Sequence, residues 1–315
     1  MDNGIKEVAV VGTGLIGSSW ITLFATKGYN VKAYSRKAET RTEGLKKVQS
    51  NLDFLVEKGL LSKDDKDQAL ARIKVVAEIS EAVKDADFVQ EATAEDYEVK
   101  KTVFKEMDKY SQQSTILASS SSGLSMTEIQ QVVTNKGRCI IAHPWNPPHL
   151  IPLVEIVPGK QTSEETVNKT FKFMADLGKV PVIVRKDILG FIGNRLCAAL
   201  WREAVDLVIK GVATVEDVDK AVYAGPGIRW ALMGPFLTYH LGGGEVGGLG
   251  HFIDSISNMT FKKIVPTLAT WDYIDEPTKK KLIEGVKEEI KGKNFKDIVK
   301  WRDDKLTELL KIIYG

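Results

Sequence analysis

The β-branched run Lys6 to Val11 (KEVAVV) stops abruptly at Gly12-Thr13-Gly14-Leu15-Ile16-Gly17. Ser18 to Thr26 then reads as a helix, with Trp20, Ile21, Phe24 and Ala25 apolar, and Asn30 to Tyr34 (NVKAY) reads as a second strand. Strand, G-x-G-x-x-G, helix and strand within about thirty residues make the βαβ unit that holds a dinucleotide. Gly12 permits the tight turn, Gly14 and the following Leu15 and Ile16 let a pyrophosphate come close to the backbone, and Gly17 lets helix and strand pack. The diphosphate rests on unpaired N–H groups at the positive end of the helix. A glycine-rich turn without a ligand is the plainer alternative, and both spacing and position weigh against it.

The end of the second strand reads the ribose. An enzyme using NAD usually carries Asp or Glu there to accept from the 2′-hydroxyl. This chain has Ser35, with Arg36 and Lys37 directly after it. Without a carboxylate a 2′-phosphate meets no repulsion, and two cations stand near to pair with it. The expectation is that NADP is preferred, or at least tolerated. The alternative is that Arg36 and Lys37 are solvated loop charges and that NAD is held another way.

Leu45, Val48, Leu52, Leu55 and Val56 recur at helical spacing from Glu39 to Glu57, and a charged segment with Leu70 apolar runs from Ser62 to Arg72. Lys58-Gly59 supplies a stop, and Ser62 with Asp65 resembles a capping box. These segments predict a helical hairpin inserted in the nucleotide-binding domain. Short strands resume at Val75-Val76 and Asp87-Phe88-Val89.

In open parallel sheets, ligands meet the carboxyl ends of the strands. Phe88-Val89 leads into Gln90-Glu91-Ala92 and Glu95, with Lys100 on the next helix. Thr115 to Ala118 leads into Ser119, Ser120, Ser121, Ser122 and Gly123, and Arg138 to Ala142 leads into His143-Pro144-Trp145-Asn146. Four successive serines are either a solvated turn or, beside a nucleotide crevice, a loop with at least one functional hydroxyl. An imidazole near neutral pH suits removal of a hydroxyl proton as hydride leaves an alcohol carbon, which singles out His143. Glu155 is an acid inside the apolar run Leu153 to Val157; if buried it needs a partner, and it suits the task of orienting the imidazole. A packing role for His143 and a solvent-facing edge for Glu155 are the plainer alternative. His149, His240 and His251 show no i, i+4 pairing and Cys139 and Cys197 no C-x-x-C, so no zinc site is expected.

At 315 residues the chain has room for about two domains. Forty-four basic against 42 acidic side chains leave +2, too balanced for bulk charge to predict a nucleic-acid or membrane partner. With 43% hydrophobic residues the composition is that of a folded globular protein. Two cysteines fit a reducing compartment, and no apolar run is long enough to span a membrane, so a cytoplasmic protein is expected. Asp187 is expected to cap a long helix starting near Ile188, with Leu189, Ile192, Leu196, Leu200, Val205 and Val208 on one face and Asn194 inside it. Helices are also expected at 215–223, capped by Thr214, and at 277–291 and 295–313. The domain break is expected near Lys186, giving a nucleotide-binding domain at 1–186 and a helical domain at 187–315.

From Val8 to about Ile253 the chain resembles the L-3-hydroxyacyl-CoA dehydrogenase superfamily. The resemblance is carried by VAVVGTGLIG, QEATAEDYEVKKTVF, ASSSSGLS, AHPWNPPHLIPLVEIVPG and DILGFIGNRL. It implies a Rossmann-type, doubly wound α/β domain with a helical hairpin insertion, then an all-α domain of the 6-phosphogluconate-dehydrogenase kind that binds substrate and forms homodimers. His143 and Glu155 match the family's catalytic dyad. Ser122 and Asn194 match residues that contact the substrate oxygen, Asn146 the His-x-x-Asn position, and Glu95 and Lys100 nicotinamide-side contacts. The closer likeness is to the free-acid branch, which includes L-carnitine dehydrogenase and lambda-crystallin (L-gulonate 3-dehydrogenase). It rests on Gly225 to Pro235 (GPGIRWALMGP) and the following Thr238 to Gly244. Arg229 in this glycine-punctuated stretch suits a bidentate grip on a small carboxylate; a structural ion pair or helix-end charge is the alternative. The chain departs from the family at Ser35, where Asp is usual, and at Trp145, where Phe is common. Trp145 or Trp230 suits a quaternary ammonium through cation–π attraction, although an aromatic filling the pocket floor is the plainer account.

The resulting expectation is NAD(P)-dependent oxidation of a small (S)-3-hydroxy carboxylic acid, carnitine- or gulonate-like, to the 3-oxo acid. His143 takes the hydroxyl proton, Glu155 orients the imidazole, and Ser122 and Asn194 position the oxygen. An acyl-CoA substrate remains open, with Arg229 and the shortage of a basic CoA-binding cluster against it. So does a crystallin-like structural protein that retains the fold.

Overall fold

The computed structural model describes residues 4–314. The chain divides into two compact units, Met1–Arg195 and Leu196–Gly315. The first unit opens with β1 (Glu7–Val11), α1 (Leu15–Thr26) and β2 (Asn30–Tyr34), followed by the hairpin helices α2 (Ala38–Glu57) and α3 (Lys63–Ala71). Next come β3 (Ile73–Val76), α4 (Ile79–Val83), β4 (Phe88–Glu91), α5 (Tyr97–Tyr110), β5 (Ile116–Ser119) and α6 (Met126–Ile129). It closes with β6 (Cys139–Pro144), β7 (Leu153–Pro158), α7 (Glu164–Asp176) and β8 (Val180–Ile183).

The eight strands form one sheet in the order β3-β2-β1-β4-β5-β6-β7-β8. Every neighbouring pair is parallel except β6 and β7, which run antiparallel. The strand order reverses between β1 and β4, the switch point where such sheets bind ligands. The central strands are buried on both faces, as parallel strands must be when helices cover each side. Val8 and Val10 pack on one face with Trp20, Phe24, Phe88 and Phe173, while Ala9 and Val11 join Phe104 and Met107 on the other. Helix α1 is buried from Gly17 to Ala25, and Trp20 stacks on Phe24 at 5.2 Å.

The expected hairpin is present. Ser62 caps α3 by accepting from the Asp65 N–H, and its hydroxyl donates back to the Asp65 carboxylate. Two expected helix starts need correction. Helix α1 begins at Leu15 rather than Ser18, so the last glycine of the motif lies within it. The long helix expected from Ile188 begins only at Gly193, and Asp187 does not cap it. Gly190 and Phe191 have φ of 78° and 53°, left-handed backbone that no α-helix contains. Asp187 instead accepts from the Ser125 and Thr127 hydroxyls. These bonds tie the segment after Lys186 to the start of α6.

Helix α8 (Gly193–Ile209) spans the division between the two compact units. The second unit continues with α9 (Val215–Ala224), α10 (Pro226–Leu232), α11 (Pro235–Gly242) and α12 (Gly248–Phe252). A π-helical stretch at Ile253–Phe261 leads to α13 (Lys262–Ile264), and α14 (Glu276–Ile290) and α15 (Phe295–Tyr314) complete it. Thr214 caps α9 by accepting from Asp217 N–H. No helix among the described residues is long and apolar enough to cross a membrane.

Candidate active site

The three motif glycines divide their work. Gly12 has φ of 105°, and a Cβ there would lie 2.4 Å from the Ala92 carbonyl oxygen. A Cβ on Gly17 would lie 1.7 Å from the Gly12 carbonyl oxygen, which makes this glycine the contact between helix and turn. Gly14 faces open space and is the N-cap of α1 with no side-chain cap, so the first N–H groups of the helix are free to meet an anion. A dinucleotide diphosphate fits this arrangement.

Ser35 lies buried at the end of β2. Its hydroxyl accepts from Thr13 N–H at 2.8 Å and shares a 2.9 Å bond with Thr13 Oγ1, which anchors the glycine loop. Arg36 and Lys37 are exposed, and Lys37 is the N-cap of α2 with no side-chain cap. Arg41, which the sequence reading did not single out, donates to the Ser35 carbonyl oxygen at 2.6 Å and to that of Arg36.

A cleft of about 440 Å³ opens beside the loop. Gly14, Leu15, Ile16, Ala92, Thr93 and Glu95 line one part, and Ser120, Ser122, His143, Trp145, Asn146 and Asn194 another. Glu95 is the hub of the serine loop. One of its oxygens accepts from Ser121 Oγ at 2.7 Å, Ser122 N–H at 2.8 Å and Gly123 N–H at 3.0 Å. Burial works to raise its pKa, but the Ser121 hydroxyl, the Lys100 charge and the two amides together bring it below the usual carboxylate range. Lys100 does not reach the cleft wall. Its ammonium is sealed at 1% exposure, 3.0 Å from both oxygens of Glu91 and 3.5 Å from Glu95. Glu91 was not among the expected site residues; a fully buried acid at the end of β4 is satisfied by Lys100, Thr93 and Ser119.

His143 and Glu155 are direct cross-strand neighbours in the antiparallel β6–β7 ladder. The imidazole Nδ1 lies 2.8 Å from Glu155 Oε2. The other carboxylate oxygen accepts from Ile192 N–H at 2.8 Å and Gly193 N–H at 3.0 Å. Left-handed Phe191 sets up this pair of amides, and its ring packs 5.5 Å from the imidazole. Glu155 is completely buried, which alone raises its pKa; the bonds from His143, Gly193 and Ile192 outweigh burial and lower it. The carboxylate therefore stays ionised at neutral pH, which fixes the Nδ1–H tautomer and leaves Nε2 as the basic nitrogen.

Asn194 stands in the first turn of α8, where its amide donates to the Ser122 carbonyl oxygen at 3.0 Å. Trp145 packs so closely on Gly193 that a Cβ there would come within 2.5 Å of its ring. Arg229 and Trp230 lie on α10 in the second unit, both exposed, and Arg229 has no ion pair among the described residues. No group of three or more His, Cys, Asp or Glu among the described residues is placed to hold a metal.

Sheet, glycine loop and open helix terminus define a dinucleotide-binding class. Residues 7–188 match the model of the 3-hydroxyacyl-CoA dehydrogenase NAD binding domain, and residues 190–295 match that of the 3-hydroxyacyl-CoA dehydrogenase C-terminal domain. The L-carnitine dehydrogenase of Oceanobacillus iheyensis is 37% identical over 309 residues, which cover 98% of each chain. That of Bacillus cereus is 38% identical over 314 residues, covering 99% of this chain and 93% of the relative. Among solved structures, 5-formyl-3-hydroxy-2-methylpyridine 4-carboxylic acid 5-dehydrogenase, an NAD+-dependent dismutase, superposes with a TM-score of 0.82 at 28% identity over 99% of both chains. Mycobacterium tuberculosis FadB2 gives 0.69 at 28% identity over 86% of this chain and 99% of its own. The chain belongs to the 3-hydroxyacyl-CoA dehydrogenase family, and it is an NAD(P)-dependent dehydrogenase acting on a CH–OH group.

Proposed function

We propose that the enzyme oxidises a small (S)-3-hydroxy carboxylic acid to the 3-oxo acid with His143 as general base. The observation that carries this reading is the His143–Glu155 pair on the cleft wall. A bound nicotinamide dinucleotide would supply the hydride acceptor for the carbinol carbon, its diphosphate held at Gly14 and the first N–H groups of α1. The imidazole Nε2 takes the hydroxyl proton, and Glu155 holds the ring in register and stabilises the imidazolium that forms. Ser122, Asn146 and Asn194 border the same cleft and orient the substrate oxygen. The named function of the L-carnitine dehydrogenase relatives favours a carnitine-like acid. Arg229, exposed and with no side-chain ion pair among the described residues, suits the carboxylate, and Trp145 or Trp230 suits a quaternary ammonium. NADP is favoured over NAD: Ser35 is committed to Thr13, no carboxylate replaces it, and Arg36, Lys37 and Arg41 surround the strand end. Exposed apolar side chains of the second unit support a homodimer.

Turnover of carnitine, gulonate, other 3-hydroxy acids and a 3-hydroxyacyl-CoA, each with both cofactors, tests this reading. A small acid is expected to win, with NADP giving the higher kcat/KM. Turnover of the thioester alone, unaffected by Arg229→Ala, reinstates the acyl-CoA alternative. His143→Gln is expected to cut turnover about 100-fold or more while leaving cofactor affinity nearly unchanged, and full turnover in that variant removes His143 from the mechanism.

A further inference from the structure

Resting on the reading of this cleft as the active site, we propose that Ser120 is a further ligand-binding residue, its hydroxyl proton aimed at an acceptor oxygen of the bound cofactor or substrate. A serine hydroxyl has one proton to give and two lone pairs to offer. Both lone pairs of Ser120 are taken by protein donors, Trp20 Nε1 at 3.1 Å and Gln90 Nε2 at 2.7 Å. The indole N–H only donates. The Gln90 amide is fixed in the same sense, because Nε2 also lies 3.3 Å from the Ala142 carbonyl oxygen. Turning the amide over would set two carbonyl oxygens against each other. The Ser120 hydroxyl therefore accepts twice from behind, and its proton finds no protein acceptor among the described residues. Ser120 borders the cleft together with Ser122 and His143.

The two donors are themselves rigid. Trp20 is completely buried and stacked on Phe24, and Gln90 is completely buried in β4. The hydroxyl is thus pre-oriented before any ligand arrives, so little rotor entropy is lost when it donates. It differs from Ser121, whose hydroxyl is spent on Glu95. The ligand chemistry it selects is a hydrogen-bond acceptor oxygen, such as a carboxamide or ribose oxygen of the dinucleotide or an oxygen of the hydroxy acid.

Ser120→Ala in the full chain tests the assignment in two arms. Fluorescence titration with NADH and NADPH reads the dinucleotide, and KM for L-carnitine, or for whichever hydroxy acid the wild type oxidises, reads the substrate. About a tenfold loss in one arm is expected, and that arm identifies the source of the oxygen. Wild-type values in both arms overturn the proposal. Ser120→Cys keeps the volume with a weak donor; it should show the same loss if the Ala variant fails to fold, and wild-type values there overturn the proposal equally. Trp20→Phe leaves Ser120 in place but frees one lone pair, and about a threefold loss in the same arm is expected. Failure of the active-site reading is seen separately, as full turnover by His143→Gln.

Discussion

The two units solve the burial problem differently. In the first, alternate residues of the central strands enter apolar clusters on both faces of the sheet, and Trp20, Phe24, Phe88 and Phe104 are completely buried. In the second, Val205, Val208, Val218, Phe252 and Ala269 are the buried apolar residues among those described, while Phe236 is 78%, Val246 89% and Phe295 81% exposed. A sheet sandwiched between helices closes its own core; short helices punctuated by Gly225, Gly234, Gly243 and Gly247 leave apolar faces uncovered. Large exposed apolar area on a folded chain marks a surface that another surface covers. The His143–Glu155 pair, proposed above as the catalytic dyad, sits in this self-sufficient unit, where packing holds the imidazole still.

The sharpest way to break this contrast lies in the glycine loop. Gly17→Ala forces a Cβ onto the Gly12 carbonyl oxygen, so a loss of about 3 kcal/mol in chemical denaturation is expected together with dinucleotide binding. Gly14→Ala meets no protein atom, so stability should stay within about 1 kcal/mol of wild type while dinucleotide affinity falls about tenfold. Equal effects of the two on stability would refute the division of labour among the glycines.

A smaller effect is expected on dilution. If a second copy covers the second unit, hydrogen exchange of α10, α11 and α15 amides accelerates as the protein is diluted through its dimer dissociation constant, and β1, β4 and β5 amides do not respond. Concentration-independent exchange throughout would show that the apolar faces need no partner copy. The smallest effect is in acid. Glu155, Glu95 and Asp108 have lowered pKa values in the folded chain, so their contribution is present above the unfolded carboxylate pKa of about 4 and is lost as pH falls through the folded values. Glu155→Gln removes one such group, and its stability should fall less steeply than wild type below about pH 4 in thermal melts.

Much of the site can be read from local pattern. Gly12, Gly14 and Gly17 declare their roles because backbone freedom and close approach are properties of single residues at fixed spacing, and the Ser62 and Thr214 caps are legible for the same reason. The helix expected from Ile188 failed because its apolar spacing persists through Gly190 and Phe191, whose left-handed backbone is imposed by contacts made elsewhere. The buried pairing of Lys100 with Glu91, a partner nine residues earlier on another element, is announced by no local pattern.

The sequence by itself determined the nucleotide-binding βαβ unit, the hairpin insertion, the helical character of the C-terminal half and the candidacy of His143 and Glu155. It also determined the absence of a carboxylate at Ser35, since composition at one position needs no fold to be read. Only the tertiary structure decided that β7 runs antiparallel to β6 and brings Glu155 opposite His143, that the amides of Ile192 and Gly193 complete the carboxylate, and that Trp20 and Gln90 turn the Ser120 proton outward. These depend on hydrogen bonds between residues 30 to 100 positions apart in most cases, whose direction and register no short window of sequence encodes.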